Sequence, residues 1–190
     1  MAKALILIDF INEIVDKDGK LAGKGYSDFI VKNNVFGNLN KLISYARAND
    51  YFIIFVKVGF SKNYIEQPKN SPLFGKANDF QVLKLDTWAT DFHKSLNVRE
   101  DDVVIIKHRV SSFYNTNLDL ILKTNYVDDV LVAGVATDLA VSSVVREGHD
   151  RDYNMVIVED CCVAATYEDH VNSLKILGKL AQIKKIIDLN

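Results

Sequence analysis

Ala4-Leu5-Ile6-Leu7-Ile8-Asp9 begins the chain with five apolar residues followed by a carboxylate. A continuous apolar run of this length is typical of a strand that is buried on both faces, whereas a half-exposed strand alternates apolar and polar residues. Comparable runs follow at residues 51–58, 103–106, 130–135, 155–158 and 183–187. Strands of this kind belong to parallel sheets, because the helices that connect parallel strands cover both faces.

Helical patterns lie between these runs. Apolar residues recur at helical spacing between residues 31 and 46, and further helical segments are predicted near 117–123, 138–147 and 168–181. Strands that alternate with helices indicate β-α-β units. The sequence therefore predicts the α/β class, with an open parallel sheet and helices on both faces.

The size and composition of the chain predict a single globular domain over residues 1–190. The chain has 190 residues, of which 48% are hydrophobic and 25% charged, and its formal net charge is −2. A nucleic-acid-binding protein would need a concentrated basic surface, so we expect no nucleic-acid partner. The first apolar run is too short for a signal sequence or a membrane span, and we expect no membrane partner.

The two cysteines, Cys161 and Cys162, are adjacent and cannot build an ordinary disulfide framework. We therefore expect an intracellular, cytoplasmic protein with both thiols buried as structural residues.

Residues 59–86 interrupt the alternation and show no clear periodicity. A connection of this length in a compact domain is usually functional or disordered. Its aromatic residues favour a packed segment: Phe60, Tyr64, Phe74 and Phe80. We predict a loop of an active site or a subunit contact, with a plain excursion as the alternative.

Polar residues follow three of the predicted strands. Asp9 ends the first, Lys107 ends the third, and Thr137 opens a helix after the fourth. Ligands of open parallel sheets bind beyond the carboxyl ends of the strands, so an acid, a lysine and a helix N-terminus can converge on one crevice. Asp9 could instead cap the next segment, Lys107 could be a solvated strand end, and Thr137 or Asp138 could be only an N-cap.

The sequence around these strand ends resembles the isochorismatase-like, or cysteine hydrolase, family over nearly the whole chain. The blocks that carry the resemblance are Leu7-Ile8-Asp9-Phe10-Ile11-Asn12, residues 107–116, Gly134-Val135-Ala136-Thr137-Asp138-Leu139-Ala140-Val141, and residues 158–165 with His170. The resemblance implies a six-stranded parallel sheet and a homo-oligomer, a dimer or tetramer. It also implies hydrolysis of a C–N bond in a small amide, ureido or lactam substrate, without a cofactor.

The family's usual catalytic set is Asp, Lys and Cys, which matches Asp9, Lys107 and the position held here by Ala140. The resemblance further implies a cis peptide at Val135–Ala136 and an oxyanion site formed by the backbone N–H groups of Ala136 and Ala140. A cysteine at position 140 would lie in the first turn of a helix, where the thiol pKa is lowered. The methyl group of alanine cannot attack a carbonyl.

Three interpretations of Ala140 remain open. Alanine could be an engineered substitution of a natural cysteine, which leaves a chain that is inactive, and the presence of both Asp9 and Lys107 favours this view. The natural protein could instead be a binding or regulatory module, or it could use Asp9 alone as an acid on a vinyl ether.

No metal is predicted, because none of the four histidines shows a close two-histidine pairing. His93 is expected on a solvated helix, and His149 and His170 as surface or packing residues. Chain position predicts five residues that contact the small-molecule substrate: Phe10, Trp88, Phe113, Tyr114 and Thr137. An aromatic-lined pocket would suit a planar amide.

Overall fold

A computed structural model describes residues 2–189 and contains one parallel sheet of six strands. The strands are β1 (Ala2–Ile8), β2 (Phe52–Val58), β3 (Val103–Lys107), β4 (Val127–Gly134), β5 (Asn154–Val158) and β6 (Gln182–Lys184). Their spatial order is β3-β2-β1-β4-β5-β6, and every neighbouring pair is parallel. The predicted fold class and sheet are confirmed.

Seven α-helices accompany the sheet within residues 2–189. They are α1 (Asn12–Val15), α2 (Tyr26–Lys32), α3 (Val35–Ala48), α4 (Ala77–Phe80), α5 (Leu118–Thr124), α6 (Ser142–His149) and α7 (Tyr167–Leu177). Helix α3 packs against β1 and β2, whereas α5 contacts β4 and α6 contacts β5. Right-handed crossovers place α3 on one face and α5 and α6 on the other, because the chain reverses direction across the sheet after β3.

Central strand β1 is buried from Ala4 to Ile8, as its continuous apolar run predicts. It pairs with β2 on one side and β4 on the other. The strand order reverses between β1 and β4, which is where open α/β sheets bind ligands. The carboxyl ends of β1 and β4 therefore lie side by side at this reversal point.

Two predicted elements differ from the observed ones. The sixth strand is short, and Ile186–Asp188 forms a 3₁₀ turn instead of continuing it. The helix predicted at 138–147 begins with a π-helical segment, Thr137–Val141, and continues as α6. Within residues 2–189, no helix combines the length and apolarity needed to cross a membrane.

The 59–86 segment folds into a small lobe with its own apolar cluster. Phe60 and Tyr64 are fully buried there, and Phe74 packs edge-on against Phe60. Phe80 is the exception to the predicted packing, because its side chain is 66% exposed. The lobe lies over the carboxyl ends of β1 and β2, and its cluster includes Ile11 and Val58 from that region.

Candidate active site

Asp9 and Lys107 meet beyond the carboxyl ends of β1 and β3. Lys107 Nζ lies 2.8 Å from Asp9 Oδ2, and both side chains are almost entirely buried. The other carboxylate oxygen of Asp9 accepts a hydrogen bond from the Val58 N–H at 2.8 Å, and Lys107 Nζ also donates to the Val110 carbonyl at 2.8 Å. Strand β2 lies between β1 and β3, so the long Lys107 side chain reaches Asp9 across the end of β2.

The backbone of Asp9 is left-handed, with φ of 60°. Aspartate tolerates this region better than most residues other than glycine. The Asp9 N–H still donates to the Val56 carbonyl at 2.8 Å, so the turn keeps its connection to β2. This sharp exit from β1 directs the chain away from the sheet immediately after the carboxylate.

Burial raises the pKa of the Asp9 carboxyl above its usual value, because a charge is costly to withdraw from water. Lys107 opposes this rise through its charge and its hydrogen bond, and the Val58 N–H also lowers the pKa. An acid whose pKa lies above its usual range is suited to give and take protons near neutral pH.

The loop after β4 lies next to the same pair. Gly134 is required there, because a Cβ at this position would lie 2.9 Å from Ile8 Cβ. The Val135–Ala136 peptide is cis, as the resemblance implies. Among residues 2–189, no acceptor is found for the Ala136 N–H.

Thr137 anchors this loop rather than lining the cavity. Its N–H donates to the Val163 carbonyl at 2.8 Å, and its hydroxyl lies 3.1 Å from the same oxygen. The hydroxyl is also 2.9 Å from His170 Nδ1. These contacts fix the start of the segment that carries Ala140.

A cavity of about 260 Å³ opens beside these residues. Its buried end is lined by Asp9, Lys107, Val135, Ala136 and Ala140, and Ala140 is only 3% exposed. Much of its opposite wall comes from the 59–86 segment and from residues near α2. These wall residues are Ile14, Leu21, Lys24, Tyr26, Pro72, Leu73, Phe74, Lys76, Ala77, Phe80, Val82 and Leu83. The 59–86 segment, predicted as a loop of an active site or a subunit contact, thus forms part of the wall of this cavity.

Glu13 of α1 holds that wall in place, and sequence reasoning missed it. Its carboxylate is buried, accepting from the Lys20 N–H at 3.0 Å and from the Leu83 N–H at 3.1 Å. Lys20 Nζ in turn donates to the carbonyls of Phe80 and Gln81, both at 3.1 Å. In the sequence, Glu13 is marked only by its position four residues after Asp9. A glutamate at such a position looks like an ordinary helix residue, so the sequence gives no reason to assign it a role in the wall.

The cavity does not include the five residues predicted to contact substrate. Phe10 and Phe113 are buried elsewhere in the main core, and Thr137 lies behind the cavity wall. Trp88 and Tyr114 are 49% and 56% exposed and lie outside the lining. None of the five lines this cavity, and their contact with a substrate stays a prediction.

The histidines also differ from expectation in part. His93 is buried rather than solvated: its Nε2 lies 3.2 Å from Asp16 Oδ2, and its ring stacks on Phe36 at 4.4 Å. The prediction of a solvated helix at His93 is wrong, because this residue lies in a loop enclosed by α1 and α3. Within residues 2–189, no three His, Cys, Asp or Glu side chains cluster closely enough to hold a metal ion.

Cys161 and Cys162 are both buried and unpaired. Burial raises the pKa of both thiols, that of Cys162 to about 12. The Cys162 thiol donates to the Val158 carbonyl at 3.4 Å. Neither residue lines the cavity with Asp9, which supports the structural role predicted for them.

Fold and site together define an α/β protein of the doubly wound class, with a cavity at the reversal point of its sheet, where open α/β sheets generally bind ligands. The chain belongs to the isochorismatase family: the isochorismatase domain matches residues 3–186.

Two sequence relatives illustrate the similarity. The uncharacterized isochorismatase family protein YecD of Escherichia coli O157:H7 is 30% identical over 190 residues, covering 98% of this chain and 93% of that protein. The ureidoacrylate amidohydrolase RutB of Yersinia enterocolitica is 29% identical over 171 residues, covering 84% of this chain and 74% of that protein.

The fold is shared with a cysteine hydrolase from Pseudomonas syringae, whose structure superimposes with a TM-score of 0.86. That likeness covers 98% of this chain and 90% of the other, at 22% identity. At this low identity, the structural similarity supports a shared fold only.

Proposed function

We propose that this cavity is the site of a cysteine-type amidohydrolase for a small amide, ureido or lactam, and that Ala140 occupies the place of its nucleophile. One observation carries the proposal: Ala140 lines the same cavity as the buried Asp9–Lys107 pair and Ala136. The chain with Ala140 binds its substrate but forms no covalent intermediate. The amidohydrolase relative supports C–N bond hydrolysis as the reaction class.

With a cysteine at position 140, the reaction proceeds in two steps. Asp9 accepts the thiol proton, the sulfur attacks the amide carbonyl, and a C–S bond forms as the carbonyl oxygen gains a negative charge. Collapse of this adduct breaks the C–N bond, and Asp9 gives its proton to the leaving nitrogen. Water then attacks the thioester with Asp9 again as base, which releases the carboxylic or carbamic acid and restores the thiol.

The surrounding groups have separate tasks. Lys107 keeps a useful fraction of Asp9 ionised, since its charge opposes the effect of burial on the pKa. The Ala136 N–H, together with the N–H of residue 140, is placed to donate to the oxyanion. The apolar wall of the cavity excludes water, which strengthens both electrostatic effects.

The alternative is a ligand-binding module of the same fold, and Ala140 itself is the observation that favours it. Both proposals predict binding of a small molecule in the same cavity. They differ in whether a thiol at position 140 restores turnover.

The test is Ala140→Cys, assayed beside the unmodified chain on a panel of compounds, for ammonia release from primary amides and ureido acids, and for the ring-opened amino acid from lactams. Turnover by the cysteine variant alone, with an acyl adduct detected by mass spectrometry, is the expected result. The matched control is Ala140→Ser, which adds an atom of similar size but a much weaker nucleophile, and it should accumulate no adduct. Thiol labelling should show one fast-reacting cysteine in the variant, since both native thiols are buried with raised pKa values.

Equal turnover by the unmodified chain would exclude the cysteine mechanism and favour acid catalysis by Asp9. A folded Ala140→Cys variant that binds the panel without turning it over would favour the binding module.

A further inference from the structure

A chain of polar contacts lies behind the cavity wall. The Thr137 hydroxyl is 3.1 Å from the Val163 carbonyl oxygen and 2.9 Å from His170 Nδ1. All three residues are buried, and none of them lines the cavity. Any role of His170 in the reaction must therefore be indirect, through the position of its neighbours.

The direction of these hydrogen bonds follows from the protons available. Burial lowers the pKa of His170, so the ring is neutral at neutral pH and carries a single proton. The Val163 carbonyl can only accept, and the Thr137 hydroxyl has one proton to donate. Both contacts are hydrogen bonds only if Nδ1–H donates to the hydroxyl oxygen and the hydroxyl donates to the carbonyl. The reverse arrangement would leave two oxygens 3.1 Å apart with no proton between them.

His170 is itself fixed by two helices. Its backbone N–H donates to the Thr166 carbonyl at 3.2 Å in the first turn of α7, and its ring packs against Phe29 of α2 with the ring centroids 5.3 Å apart. Among residues 2–189, no hydrogen-bond partner is found for Nε2 of the same ring. The contact with Thr137 is therefore the one polar contact of the imidazole with the described chain, and it joins α7 to the loop after β4.

The loop held by this chain carries both candidate oxyanion donors. Thr137 follows Ala136 and opens the π-helical segment that contains Ala140. The Thr137 N–H donates to the Val163 carbonyl at 2.8 Å, and the Val163 N–H donates to the Gly134 carbonyl at 3.0 Å. A shift of Thr137 would thus move the backbone on both of its sides, including the two N–H groups that face the cavity.

We propose that His170 is a positioning residue: its Nδ1–H fixes the Thr137 hydroxyl, and this hydroxyl holds the loop that presents both oxyanion donors. This inference rests on the proposed amide hydrolysis and assigns a role to a residue outside the cavity. The oxyanion forms only after the substrate is bound. Loss of the chain should therefore lower kcat and leave KM almost unchanged.

The test removes or keeps these hydrogen bonds in the Ala140→Cys background. Thr137→Val and His170→Leu remove the polar group from a side chain of similar size, and each should lower kcat about 10–100-fold. Thr137→Ser keeps the hydroxyl, and His170→Asn places an N–H donor close to the position of Nδ1, so both should retain most of the turnover. The double variant Thr137→Val, His170→Leu should lose about as much as the worse single variant, because both changes break one chain.

Tyr153→Phe is the matched control for the loss of a buried polar contact. It removes the hydrogen bond from the buried Tyr153 hydroxyl to Asp119 Oδ1, at 2.9 Å, and Tyr153 does not line the cavity. Turnover per folded molecule should be unchanged. A kcat loss in Tyr153→Phe as large as in His170→Leu, or equal losses in His170→Asn and His170→Leu, would overturn the proposal.

A second measurement does not depend on turnover. ¹⁵N NMR of the unmodified chain should show His170 as the neutral Nδ1–H tautomer. His170→Leu should shift the amide resonances of Ala136 and Ala140, whereas Tyr153→Phe should not. An Nε2–H tautomer, or unchanged loop resonances in His170→Leu, would reject the positioning role.

Failure of the proposed function gives a different pattern. In that case Ala140→Cys hydrolyses nothing, while the spectra still show the Nδ1–H tautomer and the dependence of the loop on His170. Conversely, full kcat in the Thr137→Val and His170→Leu forms of an active Ala140→Cys enzyme would uphold the hydrolase and reject the positioning role.

Discussion

Asp9 and Lys107 form an ion pair that is almost entirely withdrawn from water. The cost of removing two charges from water offsets much of their attraction, so such a pair contributes little net stability. Removing one partner is different, because it leaves the other charge buried without compensation. The pair is therefore better explained by chemistry at the cavity than by the stability of the fold.

We expect Asp9→Asn and Lys107→Met each to lower the free energy of unfolding by about 3–5 kcal/mol, and the double variant to recover much of the summed loss. Asparagine suits the left-handed backbone at position 9, and methionine keeps the length of the lysine stem. Denaturant unfolding of the four proteins measures the coupling.

The exposed Asp119–Lys123 pair, at 2.9 Å, is a matched control for this cycle. Asp119→Asn with Lys123→Met should show a coupling of about 0–1 kcal/mol. A coupling at the buried pair no larger than at this surface pair would contradict the argument.

The 59–86 segment is the element that turns an open crevice into a cavity. Its outer part is tied to α1 and the following turn through one buried carboxylate, Glu13, which accepts two backbone N–H groups. The segment's own apolar cluster is small, so the hydrogen bond from the Leu83 N–H to Glu13 weighs heavily in its local stability.

Glu13→Gln should loosen this wall, because the amide group offers one oxygen where two N–H donors need acceptors. Leaving a buried donor unsatisfied costs about 1–3 kcal/mol. Hydrogen–deuterium exchange should quicken in residues 77–86, whereas β4 should stay protected. Ligand affinity should fall in parallel.

Glu168→Gln removes a carboxylate from an exposed position of α7 and serves as the control for that experiment. Unchanged exchange of residues 77–86 in Glu13→Gln would show that the lobe is held by its apolar cluster alone.

Across the whole molecule, two buried histidines link stability to pH. Burial lowers the pKa of His93, against the opposing charge of Asp16, and burial also lowers the pKa of His170. The unfolded chain therefore binds protons more readily than the folded one just below the usual histidine pKa of 6.5. Their contribution is fully present above that value and declines as the pH falls below it.

We expect the free energy of unfolding to fall on acidification from pH about 7.5 to about 5.5. His93→Gln and His170→Gln should each make this dependence shallower, since glutamine keeps a polar contact without titrating. Denaturant curves at several pH values measure the slope, and His149→Gln, at an exposed position, controls for the substitution itself. An unchanged slope in both buried-site variants would refute the assignment.

Hydrophobic periodicity and the polar residues at the strand ends were enough to predict the sheet and two residues of the candidate site. Six apolar runs predicted the strands, and Asp9 and Lys107 could be picked out because polar residues that end buried runs are rare and share one edge of a parallel sheet. Ala140 was identified through a resemblance that runs along the chain. These features are local in sequence, so they can be recognised without knowledge of the tertiary structure.

The composition of the cavity wall was decided by tertiary structure. Lys24, Tyr26 and Lys76 carry no local signal, and they line one cavity because the 59–86 lobe folds back over the ends of β1 and β2. Phe10 and Trp88, which chain position suggested as substrate contacts, do not line this cavity. Side-chain direction depends on backbone turns such as the one at Asp9, and long-range contacts depend on how loops pack; neither is encoded in spacing along one segment.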